Sequence, residues 1–504
     1  MTKVDRLLNK KDIFFNNMDE KFKNYGAPLL FIIIIPLILF FILKKSTKVS
    51  TNIWPNMISV FTLFILLLWG YLSLKLFPQE FKGPKNVDGT IPQYQGNGFR
   101  FWMISVIVVI FICLKWKKVP EMITTNFIPI IMTFNIFGLL FVGYLYFAGR
   151  KNYWGKEEDD KKEYSSLFRF YRGLEFHPRI GGVDVKQLTN CRFGMIFWQI
   201  IIIIFAFFSF YTGGFNVAMW VTVLLQTIYI AKFFWWETGY FNTLDITLDR
   251  AGYYICWGCL VFLPAFYTFT CYYLANNPAV ISYLMGGVIL LLGMWFIWMN
   301  YKVDKEKEDF KANPECKIWG KKAEFIKVQA LAPAPFRHSV AKGAYPQNAG
   351  NDNQNTDITP QNTDITPQNA GNDNQNVGND NQNVGNDTPQ TAGDNNQNTD
   401  TTISKPLRFG GKHLLPRSGE KGLLVSGWWG KSRHMNYTYE IGLSGCWCAV
   451  GASVGIAPFA YLGYIIALLV HRIYRDEEKC KLKYGKYWNE YCKKVPARLI
   501  PGIY

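Results

Sequence analysis

The sequence is poor in charge. Only 18% of its 504 residues are Asp, Glu, Lys or Arg, against about 25% in ordinary soluble domains. Hydrophobic residues make up 49% and aromatic residues 17%. An ordinary soluble enzyme, a disordered protein and a disulfide scaffold are all excluded by that balance. Nucleotide-binding signatures are missing too. No GxGxxG follows a strand and there is no Walker A motif, so a nucleotide site here is neither a Rossmann nor a P-loop site. Zinc spacing is also lacking. Cys256 and Cys259 form a CxxC, but no second pair accompanies it at ligand spacing. They sit inside an apolar helix-like run and read as core packing, because free Cys behaves as a small hydrophobe. Cys446 and Cys448 read the same way, and no metal site is expected. Residues 1–25 are too long and too acidic for a signal-peptide n-region.

Long apolar runs are what the chain has instead. Eight of them, 26–43, 57–77, 100–114, 127–148, 194–211, 217–235, 252–275 and 280–299, lie near the ~20 residues needed to cross a bilayer. A further run, 442–470, holds Pro458 near its middle; it is long for one span and short for two. The net charge of +17 suits basic cytoplasmic loops rather than a nucleic-acid surface. Eight spans put the N-terminus, the 149–193 loop and the segment after Asn300 on one side, and all three are rich in Lys and Arg. A double crossing, or a dip and return, at 442–470 brings the basic tail to the same side. The expectation is an all-α polytopic membrane protein of about ten transmembrane helices with both termini cytoplasmic. Lys44, Lys45, Lys48, Lys115, Lys117 and Lys118 fall on the opposite side, against the rule. The organisation reads as a segment 1–25, an eight-span region 26–300, a cytoplasmic segment 301–342, an insertion 343–404 and a C-terminal region 405–504.

The insertion differs in kind. NTDITPQ repeats in tandem from Asn355 and Asn362, and GNDNQNV from Gly371 and Gly378. With almost no large apolar side chains, nothing offsets the entropy of ordering it. It is expected to be disordered, and it lacks the a/d pattern of a coiled coil.

Ionisable residues close to membrane spans are costly and therefore suggest function. Three clusters qualify. The first is GLEFHPRIGG at 173–182, where Glu175, His177 and Arg179 either do chemistry or simply orient a loop. The second is WWETGYFNTLDITLDRAGYY at 235–254. Glu237, Asp245 and Asp249 sit between two spans there, as proton donors or as solvated acids of an interfacial helix. The third combines LLVSGWWGKSRHMNY at 423–437 with HRIYRDEEKCKLKYGKYWNEY at 471–491. Arg472 and Asp476 are one turn apart and can hold each other. Arg433, His434, Lys481 and Lys483 add positive charge for phosphates. Trp428, Trp429, Tyr437, Tyr484, Tyr487, Trp488 and Tyr491 add flat stacking surfaces. Lys307 and Lys311 are four apart at the end of the eighth span. Together they outline an aqueous pocket for an anionic, aromatic ligand such as a nucleotide. Any single Lys or Trp of the set could instead be an interface anchor.

These stretches resemble the sterol reductase family, which includes 7-dehydrocholesterol reductases, C-14 sterol reductases and the lamin B receptor. The C-terminal motifs are very similar to the family ending, and GLEFHPRIGG resembles the family's G-x-E-x-N-P-R-I-G, with His177 where Asn is usual. GTIPQYQGNGFRFW, DRAGYYICWGC and CKIWGKKAEFI look like the 7-dehydrocholesterol reductase branch. The similarity runs from about Gly89 to Tyr504, broken by the insertion. The resemblance implies a ten-span reductase of the endoplasmic reticulum that takes a sterol from the bilayer and uses NADPH to reduce its C7–C8 double bond. A C-14 reductase and a non-catalytic sterol-binding scaffold are the alternatives. Carried over residue by residue, Lys307 and Lys311 hold phosphates, Lys311 standing where Arg is usual. Leu424, Trp429, Asn436, Tyr437, Arg472, Asp476, the stretch Cys480, Lys481, Leu482, Lys483 and Tyr484, and Tyr491 line the cofactor pocket. A ring alkene that no carbonyl polarises needs a proton as well as a hydride. Glu237 and Asp245, then Asp249 and Tyr437, are the expected donors.

Overall fold

A computed structural model of the chain describes residues 20–47, 52–84, 91–153, 164–328 and 422–503, all within one compact unit. The insertion 343–404 lies outside the described residues, as do most of 1–25 and the adjoining ends of the segments beside the insertion.

Nine helices among the described residues are long and apolar enough to cross a membrane. They are α1 (Phe22–Ser46), α2 (Met57–Leu76), α3 (Gly98–Lys115), α4 (Phe127–Lys151), α5 (Gln187–Gly213), α6 (Val217–Trp235), α7 (Tyr253–Asn276), α8 (Tyr283–Ala312) and α10 (Ala457–Tyr484). Between α8 and α10 lies α9 (Met435–Ala449). The ambiguous run 442–470 is therefore the middle of a helical hairpin. Pro458 stands in its turn, where a fixed φ and a missing N–H do no harm. With α9, the nine make ten helical segments among the described residues, and the only strands described are four pairs of short ones, so the all-α expectation holds.

The connections are unequal. On one side they are tight, and three of the helices that start there, α2, α6 and α8, are capped. The Asn56 side chain accepts from Ser59 N–H, Asn216 from Met219 N–H and Ser282 from Met285 N–H, satisfying orphan first-turn donors. The long polar connections all meet the opposite side, with the start of α1 and the end of α10. This alternation is the one that the basic loops predict; Lys44, Lys45, Lys115, Lys117 and Lys118 remain at the tight turns.

Burial ranks the helices. In α5, 83% of the most apolar stretch is buried, against 22% in α1, so α5 is central and α1 faces lipid. Both α5 and α7 open into wide π-helical turns, Gln187–Gly194 and Tyr253–Tyr267. They pack so closely that a Cβ on Gly194 would stand 2.5 Å from the Cys259 carbonyl oxygen. Only glycine permits that approach. Cys256 and Cys259 are buried in this contact and free, as core-packing residues should be.

Candidate functional site

The chain leaves α8 through two short hairpins. Lys317–Ile318 pairs with Lys321–Lys322, and Phe325–Lys327 pairs antiparallel with Gly422–Leu424, placing Lys327 opposite Gly422. Lys327 and Gly422, the nearest paired residues on either side of the insertion, are thus neighbours in one ladder. This ladder delivers Leu424, buried, and then Trp429, Asn436 and Tyr437 against the end of α8.

Here the predicted residues converge. The Trp429 indole N–H donates to the Val303 carbonyl at 2.9 Å, and the Tyr491 hydroxyl donates to the Trp429 carbonyl at 2.9 Å. The Lys307 ammonium stands 3.8 Å from the centre of the Trp429 ring, within cation–π range. Lys311 follows one turn later, exposed, with Lys307, Lys479 and Lys483 as electrostatic neighbours and Asp476 to offset them. Cys480 and Tyr484 pack with Tyr491 and Trp488. Lys481, Leu482 and Lys483 of the same stretch point to solvent.

Several side chains do something other than expected. Arg472 pairs with Asp245 across the fold rather than with Asp476 along its own helix, and Arg475 pairs with Asp249 at 2.7 Å. Asp245 and Asp249 therefore lock that loop onto α10. Arg433 is spent on Glu477 at 2.8 Å and on the Val495 carbonyl at 2.6 Å. His434 carries no charge to a phosphate. Burial first, then Lys307, Arg433 and Arg498, push its pKa down to about 3. Its ring stacks on Tyr437 with centroids 5.4 Å apart. Asn436 donates to Asp304 at 3.1 Å.

Glu237 lies elsewhere. It is 2% exposed and paired with the fully buried Arg192. Arg192 also donates to Asn97 Oδ1 at 2.5 Å. This clamp ties the start of α3 to α5 and to the loop after α6. The same loop is held by Lys186, whose ammonium donates to the carbonyls of Asp245, Ile246 and Asp249 at 3.3, 2.7 and 2.7 Å.

Sequence reading missed a polar network inside the membrane. Lys232 of α6 bonds Asn300 and lies 3.7 Å from Asp304. Asn300 donates to the Asn436 carbonyl at 2.8 Å. The Tyr229 hydroxyl donates to Glu440 at 3.0 Å. The signal was present: Lys232 and Glu440 are single ionisable residues in otherwise apolar helices, costly unless used. Lys232 also lines an apolar cleft of about 310 Å³ between α6 and α8, with Ile228, Met294, Ile297, Trp298 and Tyr301. Trp298 and Met294 are exposed at its edge, on the surface that faces lipid. The network is thus the partition between a greasy cleft and the cationic face of α8 and α10.

Comparison with known proteins fits this architecture. The profile of the ergosterol biosynthesis ERG4/ERG24 family matches residues 15–330 and 394–504, and its gap falls across most of the insertion. The 7-dehydrocholesterol reductase of Arabidopsis thaliana is 30% identical over 92% of this chain and 90% of its own length. That of Xenopus laevis is 28% identical over 84% and 73%. The Delta(14)-sterol reductase of Dictyostelium discoideum is 26% identical over 82% and 70%. With a match over far more than half its length, this ten-segment chain belongs to the ERG4/ERG24 family of sterol reductases.

Proposed function

We propose that the chain uses NADPH to saturate the C7–C8 double bond of a sterol, a reading supported by its Arabidopsis and Xenopus relatives, which are named 7-dehydrocholesterol reductase. The observation that carries this reading is the shared partition. One layer of side chains, Lys232, Asn300, Asp304 and Asn436, has an apolar, lipid-facing cleft on one side and a cationic, aromatic pocket on the other. A flat apolar substrate and a charged cofactor can approach the same point from different phases.

The residues present fit a dinucleotide phosphate. Four lysines, Lys307, Lys311, Lys479 and Lys483, surround one carboxylate, Asp476; that cationic excess is relieved by bound phosphates. Among the described residues the buried Asn436 Oδ1 and His434 Nε2 have no hydrogen-bond partner, and a bound group can supply one. When bound, NADPH supplies the hydride. The chain supplies the rest. Tyr437 lies in the field of Arg472, Asp476, Glu440 and Asp245, where the pocket meets the partition, and we assign its hydroxyl as the donor of the proton to the alkene. Asp245 acts through Arg472 as a positioning residue. The apolar cleft keeps water from the cationic carbon formed on protonation. Glu237, committed to Arg192, braces the scaffold. The basic connections support cytoplasmic termini, and the endoplasmic reticulum location rests on the family resemblance.

The test is a sterol profile. The chain is expressed in cells that accumulate 7-dehydrocholesterol and, separately, in yeast microsomes lacking C-14 reductase, with NADPH supplied. Loss of the conjugated diene, abolished by Asp476→Ala, is expected. Reduction only at C14 moves the protein to the sister activity. Folded protein that turns over neither sterol overturns the enzyme reading.

A further inference from the structure

A second cavity, polar and about 180 Å³ in volume, lies where the end of α2, the strand Gln93–Gln95 and the turn into α5 meet. It has room for about six waters, enough for a small headgroup and far too little for a dinucleotide. It involves the GLEFHPRIGG motif, which the proposed reduction leaves unused.

Its inner residue is Asp184, 2% exposed. One carboxylate oxygen accepts the Gln187 N–H at 2.9 Å and caps α5. The other, Oδ2, has no hydrogen-bond partner among the described residues. His177 Nδ1 is 3.6 Å from it, too far for a hydrogen bond and an ion pair only when the imidazole is protonated, and sits 3.1 Å from the Tyr94 hydroxyl. A buried carboxylate oxygen without a donor is costly, so the site calls for a donor from outside. Tyr94 stays a neutral phenol, because burial and the Asp184 charge both push its pKa up. The rim has the opposite sign. Arg179 donates to the carbonyls of Gln93 and Gly182 at 3.1 and 2.6 Å, both neutral acceptors, and stands opposite Asp184 in the short ladder. Lys75 is exposed, with its ammonium beside Gly182. Because α2 ends and α5 begins here, the rim stands at headgroup depth.

One acceptor inside and two cations outside match a ligand with an ammonium at one end and a phosphate at the other. We propose that this cavity binds the headgroup of phosphatidylethanolamine, its ammonium on Asp184 Oδ2 and its phosphate between Lys75 and Arg179. Phosphatidylcholine has no N–H to donate, phosphatidylglycerol has no cation, and the carboxylate of phosphatidylserine would oppose Asp184. Gln187 links the cavity to the clamp, since its amide donates to the Gln95 carbonyl at 2.7 Å and reaches Glu237 at 3.5 Å. An occupied cavity therefore stiffens the Arg192–Glu237 clamp.

The test uses the full chain in nanodiscs holding equimolar phosphatidylethanolamine, its N-methylated series and phosphatidylglycerol, with retained lipid counted by native mass spectrometry. Phosphatidylethanolamine is expected to be retained about fivefold or more over phosphatidylcholine, the discrimination a buried acceptor gives. The preference should fall with each added N-methyl group. Asp184→Asn keeps the cap oxygen and loses the charge, and it should erase the preference. Lys75→Met, on an exposed side chain, should lower retention of phosphatidylethanolamine and phosphatidylcholine alike. Equal retention across the methylation series in the wild-type chain overturns the proposal even if Asp184→Asn fails to fold. Displacement of the lipid by an equal concentration of free phosphoethanolamine also overturns it, because the ligand would then be soluble.

Discussion

Arg192 and Lys307 are both cations at the polar ends of membrane helices, yet their surroundings are opposites. Arg192 is fully buried and met by Glu237 and Asn97. Lys307 is half-buried, lies on an indole, and has other lysines for neighbours. The same contrast separates the two halves of the fold. Around α3 and α5 two buried cations find partners within the chain: Lys186 has three carbonyls and Arg192 a carboxylate. Around α8 and α10 positive charge exceeds negative. A satisfied buried charge fixes a scaffold, whereas an excess left at the surface of a pocket is a place for a ligand.

The largest effect that would break this contrast lies in the clamp. Glu237→Ala leaves Arg192 buried and unpaired, at a cost of about 3–5 kcal/mol, a large share of the stability of a typical domain. The variant should yield little folded protein in detergent by thermal unfolding. The double variant Arg192→Met/Glu237→Leu should restore folding, since a well-packed apolar pair can replace a buried ion pair. If the double variant folds and binds NADPH but turns over no sterol, Glu237 does chemistry and the division of labour fails.

The next effect sharpens the other side. Lys307→Met should weaken NADPH binding about tenfold, or 1.4 kcal/mol, with KM for the sterol unchanged. Lys186→Met, in the satisfied half, should leave NADPH affinity as it is, measured by titration of the same detergent preparation.

How much of this could be read from the chain follows the same line. The spans were legible because apolar length is a one-dimensional property. The hairpin at 442–470 was legible only as a conflict, since its helices extend past the apolar run at both ends, from Met435 to Tyr484. The motif residues Lys307, Trp429 and Tyr491 came together as expected. Partner choice was not legible. Spacing offers Arg472 the acid one turn away, but Asp245 comes from 227 residues away, and only tertiary packing brings it there. Lys232 and Glu440 went unnoticed because each stands alone in its helix, and their meaning lies in Asp304 and Tyr229 on neighbouring helices.

His434 gives a prediction with a sign. Its pKa in the folded chain is about 3, below its ordinary value of about 6.5. Between those values the unfolded chain binds the proton that the folded chain refuses, so stability rises with pH. The contribution is complete above about pH 6.5 and is lost as the pH falls toward 3. His434→Gln should flatten that part of the stability profile, measured as Tm against pH. A profile unchanged by the substitution would mean that the ring is charged in the fold and belongs with the phosphate-facing cations.

The smallest effect tests whether exposure within a motif is informative. Leu482 lies in the stretch expected to line the cofactor pocket, but its side chain is 54% exposed, while Cys480 and Tyr484 on either side pack toward Tyr491. A helix turns each successive side chain by about 100°, so a residue midway between two inward neighbours faces outward. Leu482→Ala should therefore shift stability by no more than about 0.5 kcal/mol and leave NADPH affinity within about twofold, whereas Tyr484→Ala should weaken it more. A Leu482→Ala defect as large as that of Lys307→Met would show that the end of α10 rotates or unwinds when the cofactor binds, and that the underpartnered half of the fold completes its structure only around its ligand.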